Sequence, residues 1–529
     1  MSAPEDKHIL AIDLGTSAAK VALFTIFGEV IGWEAEDIAL QILPNGGAEQ
    51  NPEDWWSTIM RTSKRLLGRD LVPKESVVAV CAVTSGCGTL PVDQDGNPLM
   101  NAMLWLDSRG SELVKERISG WINLEGYNLL KMFRWIRITG GMPSPSGKDL
   151  VGHTLYIKHA FPEIYHQTDK LLDVLDYIDF RLTGRLITTG DVKAIGWVVD
   201  ARDPENITYH DGMLKEWGIE RQMLPEIKRC VDVIGDLKPD VADELGLNRE
   251  VKVVAGSFDL PAAAVGSGAV EDFAAHLSLA TSAFITVHVP FKKTDVFHSI
   301  ASLPCAIPNR YLLLVAQEAG GVNLTFLRDN ILFHRDALLD VDKPEDFFQA
   351  LNTIAESAPP GCKRLIYTPW IYGERAPVED PTIRAGVHNL SLQHTRADLV
   401  RAVLEGVAFN SRWVIDAVDT FCGRPMNPIN VVGGGANSNL WCQIYADILN
   451  RTIRQVRDPL QATARGAAFI AAVGLGYLQF EDIPKHIQFQ HIYEPNPENR
   501  NLYDKMFTEF VNIYKRNKGI YRRLNRMRI

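Results

Sequence analysis

Residues 8–33, HILAIDLGTSAAKVALFTIFGEVIGW, set the fold. HILAID is an apolar run of strand length, LGTS is a tight turn, and AAKVALFTIFGEVIGW is a second strand running on into a third. Asp13 closes the first strand beside a Gly-Thr-Ser turn. A carboxylate is costly to bury there without a partner, often a metal. A turn of small residues with free backbone N–H groups is also a natural cradle for phosphate. The plainer alternative is a strand-end carboxylate bonded to the amides of its own turn. The pattern returns at residues 274–283, AAHLSLATSA, where Thr281-Ser282-Ala283 falls on Thr16-Ser17-Ala18. An internal duplication leaves such a trace: two similar domains, each offering one phosphate-binding hairpin to the cleft between them. Ser278 stands where Asp13 would, so metal binding falls to the first copy.

Outward from these hairpins the chain alternates strands with helices, which implies α/β architecture. Cys81 to Trp105 reads as strand, glycine-rich turn (Thr84-Ser85-Gly86-Cys87-Gly88), strand, Asp95-Gly96 hairpin and strand. From Asp149 to Leu182 apolar residues recur at helical spacing, and Thr183-Gly184 closes the run. Val251 to Gly256 is a strand feeding a helix that opens near Asp259 and Pro261. It sets the expected division into residues 1–254 and 255–529. Ile429 to Gly435 is another strand into a glycine turn, and Leu440, Trp441, Ile444, Tyr445, Ile448 and Leu449 then mark one buried helix face.

A chain of 529 residues is too long for a single core, which also argues for two large domains. The net charge of −10 offers no general electrostatic basis for binding nucleic acid. The basic tail from Lys515 to Arg528 reads as a solvated helix. Seven cysteines occur with no CxxC pair, so neither a disulfide framework nor a zinc site is suggested. His153, His159 and His166 lie at no metal-ligand spacing and read as residues on solvated or polar helix faces. The N-terminus runs straight into a strand without a secretory apolar region. Apolar stretches such as Ala467 to Leu478 are too short to span a bilayer. The expectation is a reduced, cytoplasmic protein that engages neither membrane nor nucleic acid.

Eight stretches, in order from His8 to Tyr477, resemble the FGGY carbohydrate kinases. They are Asp13-Leu-Gly-Thr-Ser-Ala-Ala-Lys20, Gln50-Asn-Pro-Glu-Asp-Trp-Trp56, Trp105-Leu-Asp-Ser-Arg109 and Gly256-Ser-Phe-Asp-Leu-Pro-Ala-Ala-Ala-Val-Gly266. Leu279-Ala-Thr-Ser-Ala283, Tyr372-Gly-Glu-Arg-Ala-Pro377 with Asp380-Pro381 behind it, Val403-Leu-Glu-Gly-Val-Ala-Phe409 and Gly433-Gly-Gly-Ala-Asn-Ser-Asn-Leu-Trp441 complete the set. The resemblance implies two ribonuclease H-like (actin-like ATPase) domains around a cleft and ATP-dependent phosphorylation of a ketose or polyol, D-xylulose first. It implies that Gly15, Thr16, Ser17 and Lys20 in one hairpin and Thr281 and Ser282 in the other grip the triphosphate. Gly320, Gly321, Gly434, Gly435 and Asn439 form the nucleotide side. Asp13 holds Mg²⁺ through water, since magnesium dehydrates reluctantly. Ser85, Gly86, Cys87, Trp105, Asp107, Arg109 and Asp259 line the sugar pocket, with Asp259 the catalytic base. Plainer roles stand beside these: Asp259 as a helix cap, Trp105 as a core residue, and Asp107 with Arg109 as a surface ion pair.

Three departures matter. Ser85-Gly86-Cys87-Gly88 lacks the Gln or Met followed by His of xylulose kinases and the Arg-Glu of glycerol kinases. Ala280 replaces the usual glycine of the second phosphate turn and is expected to reshape it, because alanine tolerates positive φ poorly. The aromatic stretch Leu113 to Pro145 is read first as extra core, then as a homodimer surface, then as a lid. Two rival functions remain: an actin- or chaperone-like ATPase that phosphorylates no sugar, and a catalytically silent sugar sensor.

Overall fold

In the computed structural model, which describes residues 6–124, 126–333 and 343–525, two sheets share one plan. The first runs Val233–Asp236, Lys252–Phe258, Val77–Thr84, His8–Leu14, Ala18–Thr25, Val30–Asp37. His8–Leu14 pairs antiparallel with Ala18–Thr25 on one side and parallel with Val77–Thr84 on the other. In the second sheet Ala275–Leu279 pairs antiparallel with Ala283–Val289 and parallel with Ile429–Val432. Tyr311–Gln317 and Ile453–Val456 then extend the second sheet as Val30–Asp37 and Lys252–Phe258 extend the first. The duplication read from ten residues therefore covers five strands in each half, arranged as ribonuclease H-like domains. Ile300–Pro304, Thr294–Asp295 and Phe489–Tyr493 are added at the edges of the second sheet.

The first sheet buries Leu10, Ile12, Leu14 and Val80 under helices Pro52–Leu67 and Val174–Thr183. Its opposite face, with Ile9, Ala11, Phe24, Ala79 and Val254, is covered by helix Ala462–Gly474. Helix Arg396–Cys422 packs on the second sheet, backed by Asn439–Leu449 and the last helix, Pro497–Asn525. Helices Asp259–Gly266 and Ala462–Gly474 each follow the corresponding strand of their own half and cross tightly. A Cβ on Gly266 would lie 1.8 Å from the Ala462 carbonyl oxygen, and one on Gly466 would lie 1.9 Å from that of Ala262. Two Ala-x-x-x-Gly pairs, Ala262/Gly266 and Ala462/Gly466, thus meet backbone to backbone.

Several sequence expectations change. The helical pattern from Asp149 to Leu182 resolves into Leu150–Ala160, Pro162–Gln167, a short strand Lys170–Leu172, and Val174–Thr183. Pro162 opens the second helix because it supplies no N–H to continue the first. Gly184 closes the last at φ +75°, as read. Residue 255 lies within a strand paired in the first sheet, so a boundary there would cut the ladder. We place the junction after Gly266. In the aromatic segment Trp135 stacks on Trp217 and Tyr127 donates to the Pro143 carbonyl, both as core, whereas Trp121 and Phe133 lie on the surface. His153 is buried, not solvated, with Nδ1 beside the Thr89 hydroxyl and Nε2 facing the Asp107 carbonyl. Burial pushes its pKa down to about 4, so it is neutral. Residues 526–529, the end of the basic tail, fall outside the described residues. Among the described residues no helix is long and apolar enough to cross a membrane.

Candidate active site

Strand pairing puts Asp13 directly opposite Lys20 across the first hairpin, with Lys20 Nζ 3.4 Å from Asp13 Oδ2. The turn closes through Gly15 N–H to the Ala18 carbonyl. Ser17 at its tip is exposed. Two partners hold it from outside. Gln50 donates to the Thr16 carbonyl at 2.7 Å and to that of Ala39 at 3.1 Å, while its own carbonyl accepts the Trp55 indole N–H at 2.8 Å. The Trp105 indole donates to the Thr16 hydroxyl at 2.9 Å. Gln50 had no assigned role in the sequence, although its motif was noticed, because the carbonyls it meets, those of Thr16 and Ala39, are distant in sequence. Gln50→Ala is expected to cost about 1–3 kcal/mol in urea unfolding, since it strands buried polar groups, and to raise the KM for ATP.

The second hairpin is braced differently. Ala280 N–H donates to the Ser282 carbonyl, and Gly320 and Gly321 donate to the carbonyls of Thr281 and Ala280. A Cβ at Gly320 would lie 2.8 Å from Ser282 backbone, and one at Gly433, at φ +88°, would lie 2.6 Å from the Leu279 carbonyl oxygen. A Cβ at Gly435 would strike Trp441 and Leu279, whereas Gly434 is open. Three turns therefore converge with Thr281 exposed at the tip. Asn439, which opens helix Asn439–Leu449, lies beside them and accepts from Gln455 at 3.3 Å. Ala280 does not distort the turn: neither it nor Gly15 takes a positive φ, so a Cβ carries no backbone penalty at either position.

Asp259 is the first residue of its helix, whose cap is Phe258, so it does not serve as the cap. A β-bulge at Gly256, φ +71°, bends the strand just before Asp259. Burial and the neighbouring Asp13 charge raise the Asp259 pKa to about 7, against the opposing pull of the Leu260 N–H and Lys20. Cys87 lies within electrostatic reach of Asp259, Asp149, Asp173 and Arg375. It holds a left-handed φ of +63°. Gly86 and Gly88 beside it leave room for Ile195 and Val174, which a Cβ would approach to 2.5 Å in each case. Ser85 N–H donates to the Leu14 carbonyl, which ties this loop to the first hairpin.

Asp107 and Arg109 are paired, but not on the surface. Asp107 is 0% exposed; its carboxylate accepts the Ala48 N–H at 3.0 Å and the Arg109 guanidinium at 2.6 Å. Arg109 also reaches Glu49 and lies over the Tyr156 ring. The pair braces the wall that carries Trp105. Trp105 itself is 39% exposed and is no core residue.

Residues 8–266 match the N-terminal domain, and residues 275–475 the C-terminal domain, of the FGGY family of carbohydrate kinases. The chain belongs to this family and is a carbohydrate kinase. It is similar to a xylulose kinase of Staphylococcus epidermidis, 29% identical over 524 residues and 97% of each chain. Two solved structures from Lactobacillus acidophilus are each 25% identical with a TM-score of 0.84. One is a ligand-bound xylulose kinase, with 98% of this chain and 100% of that chain covered. The other is a gluconate kinase, with 98% and 99% covered.

Proposed function

We propose that this kinase transfers the γ-phosphoryl group of ATP to a hydroxyl of a ketose or polyol, D-xylulose first, with Asp259 as general base. One juxtaposition carries the reading: Asp259 lies within electrostatic reach of Asp13 and Lys20 on the first phosphate hairpin and of Cys87 on the substrate loop. The xylulose kinase relatives support the choice of sugar, and the gluconate kinase structure keeps sugar acids in the test.

The residues fit Mg-ATP. Each hairpin carries an exposed tip residue, Ser17 in the first and Thr281 in the second, and at Gly434 beside the second a Cβ would meet nothing nearer than 3.8 Å. Asp13 and Asp259 together outweigh Lys20, a negative pair that a divalent cation relieves. Among the described residues no group of three or more His, Cys, Asp or Glu side chains gathers to hold a metal. Asp13 would hold magnesium, an ion that dehydrates reluctantly and takes few carboxylates, through water. Bound Mg-ATP supplies the transferable phosphoryl group. The protein's share is positioning and charge: Lys20, Thr16, Ser17, Thr281 and Ser282 hold the phosphates, and Asp259 accepts the proton of the sugar hydroxyl. The seven free thiols support a reducing, cytoplasmic setting.

ADP release with Mg-ATP and a panel of xylulose, ribulose, other ketoses, glycerol and gluconate tests the proposal. Turnover that depends on a ketose or polyol is the expected result. Turnover with gluconate alone would replace the substrate class, and sugar-independent hydrolysis would favour a plain ATPase. Sugar-induced thermal stabilisation without turnover would mark a sensor.

A further inference from the structure

The buried segment Thr189–Ile195 touches both the strand end that carries Asp259 and the substrate loop. Asp191, 1% exposed, accepts four donors: the Thr189 hydroxyl at 2.5 Å, the Val192 N–H at 2.8 Å, the Phe258 N–H at 3.4 Å and the Ser257 hydroxyl. Ser257 and Phe258 are the two residues before Asp259, just past the Gly256 bulge. On the other side Lys193 pairs with Asp176 at 2.7 Å, and Asp176 accepts the Asp173 N–H at 2.8 Å. The Asp173 carboxylate in turn takes the Gly88 N–H of the loop. Ile195 fills the space above Gly86.

We propose that Asp191 is a positioning residue: by holding Ser257 and Phe258 it fixes the direction in which Asp259 leaves the strand. This rests on Asp259 being the base. A carboxylate suits the task because every lone pair faces a donor. Asparagine, of the same size, has an amide that meets either the Phe258 N–H or the Val192 N–H as donor against donor, leaving one unsatisfied. A small shift of the base is enough to matter, since misplacing a reacting group by about 1 Å costs about 10²-fold in rate.

The test is a double-mutant cycle of Asp191→Asn and Asp259→Asn, read as sugar-dependent kcat per nucleotide-binding site titrated with an ATP analogue. Asp191→Asn alone is expected to lower kcat by about 10²-fold and to leave the KM for ATP unchanged. In the Asp259→Asn background the same change is expected to do almost nothing further, because the group it positions is gone. Losses that multiply would show Asp191 to be structural only and would overturn the proposal. A fully active Asp259→Asn would instead remove the base assignment on which it rests. If Asp191→Asn does not fold, Ser257→Ala removes one of the donors and takes its place in the cycle, with a smaller loss and the same non-additivity expected.

Discussion

Asp259→Asn is expected to lower sugar-dependent ADP release by about 10²–10⁴-fold, the range for a positioned general base. That corresponds to about 3–5 kcal/mol of barrier. The KM for ATP is expected to change little, because the phosphate contacts proposed above lie on the two hairpins. The wild-type profile of kcat/KM for the sugar should rise with pH through about 7, where Asp259 in the free enzyme loses its proton. Stability should move the opposite way. The folded chain keeps this proton to about 7, whereas an unfolded aspartate releases it near ~3.9. The penalty for ionising Asp259 in place therefore builds as pH rises between these values and is complete above them. Asp259→Asn should melt higher than wild type at alkaline pH, with the advantage gone in acid. A variant that retained wild-type turnover, or a profile flat across neutral pH, would count against the base.

Gly466→Ala is expected to be among the most damaging single methyl groups in the protein. Alanine gains about 1 kcal/mol over glycine in helix propensity, which on an open helix face would stabilise. Here the new Cβ would lie 1.9 Å from the Ala262 carbonyl oxygen, and backbone cannot rotate away as a side chain can. Overpacking of this kind costs about 1–3 kcal/mol or more, so the sign is set by the clash. A lowered melting temperature and weaker ATP-dependent turnover are expected together, because helix Asp259–Gly266 carries both the proposed base, at its first residue, and this crossing, at Ala262 and Gly266. A variant as stable and as active as wild type would mean that the helices separate at no cost.

The hairpins were legible because their signal is local: an apolar strand, a small-residue turn and a second strand, repeated. The glycines at 433–435 were legible for the same reason. What escaped is held by contacts distant in sequence. Gln50 acts on a turn 34 residues away, and Asp191 on a strand end 66 residues away. Nothing in the spacing of either residue announces its partner. The plainer reading of Asp107 and Arg109 as a surface ion pair found the pairing but not its burial, which depends on Ala48, Glu49 and Tyr156. The helical run from Asp149 to Leu182 was over-read because apolar spacing survives across Lys170–Leu172, a strand too short to impose its own period. The second Ala-x-x-x-Gly pair was in plain view at Ala462 and Gly466, unread because its match at Ala262 and Gly266 is only five residues long.

Helix Ala462–Gly474 belongs by sequence to the second half, yet it covers the first half's sheet. The two halves are therefore woven rather than hinged side by side. Cutting the gene at the junction would strip this helix from Ile9, Ala11, Phe24 and Val254 in the first product. The interior of one half is thus closed by the other, and heat or urea is expected to melt both in a single transition.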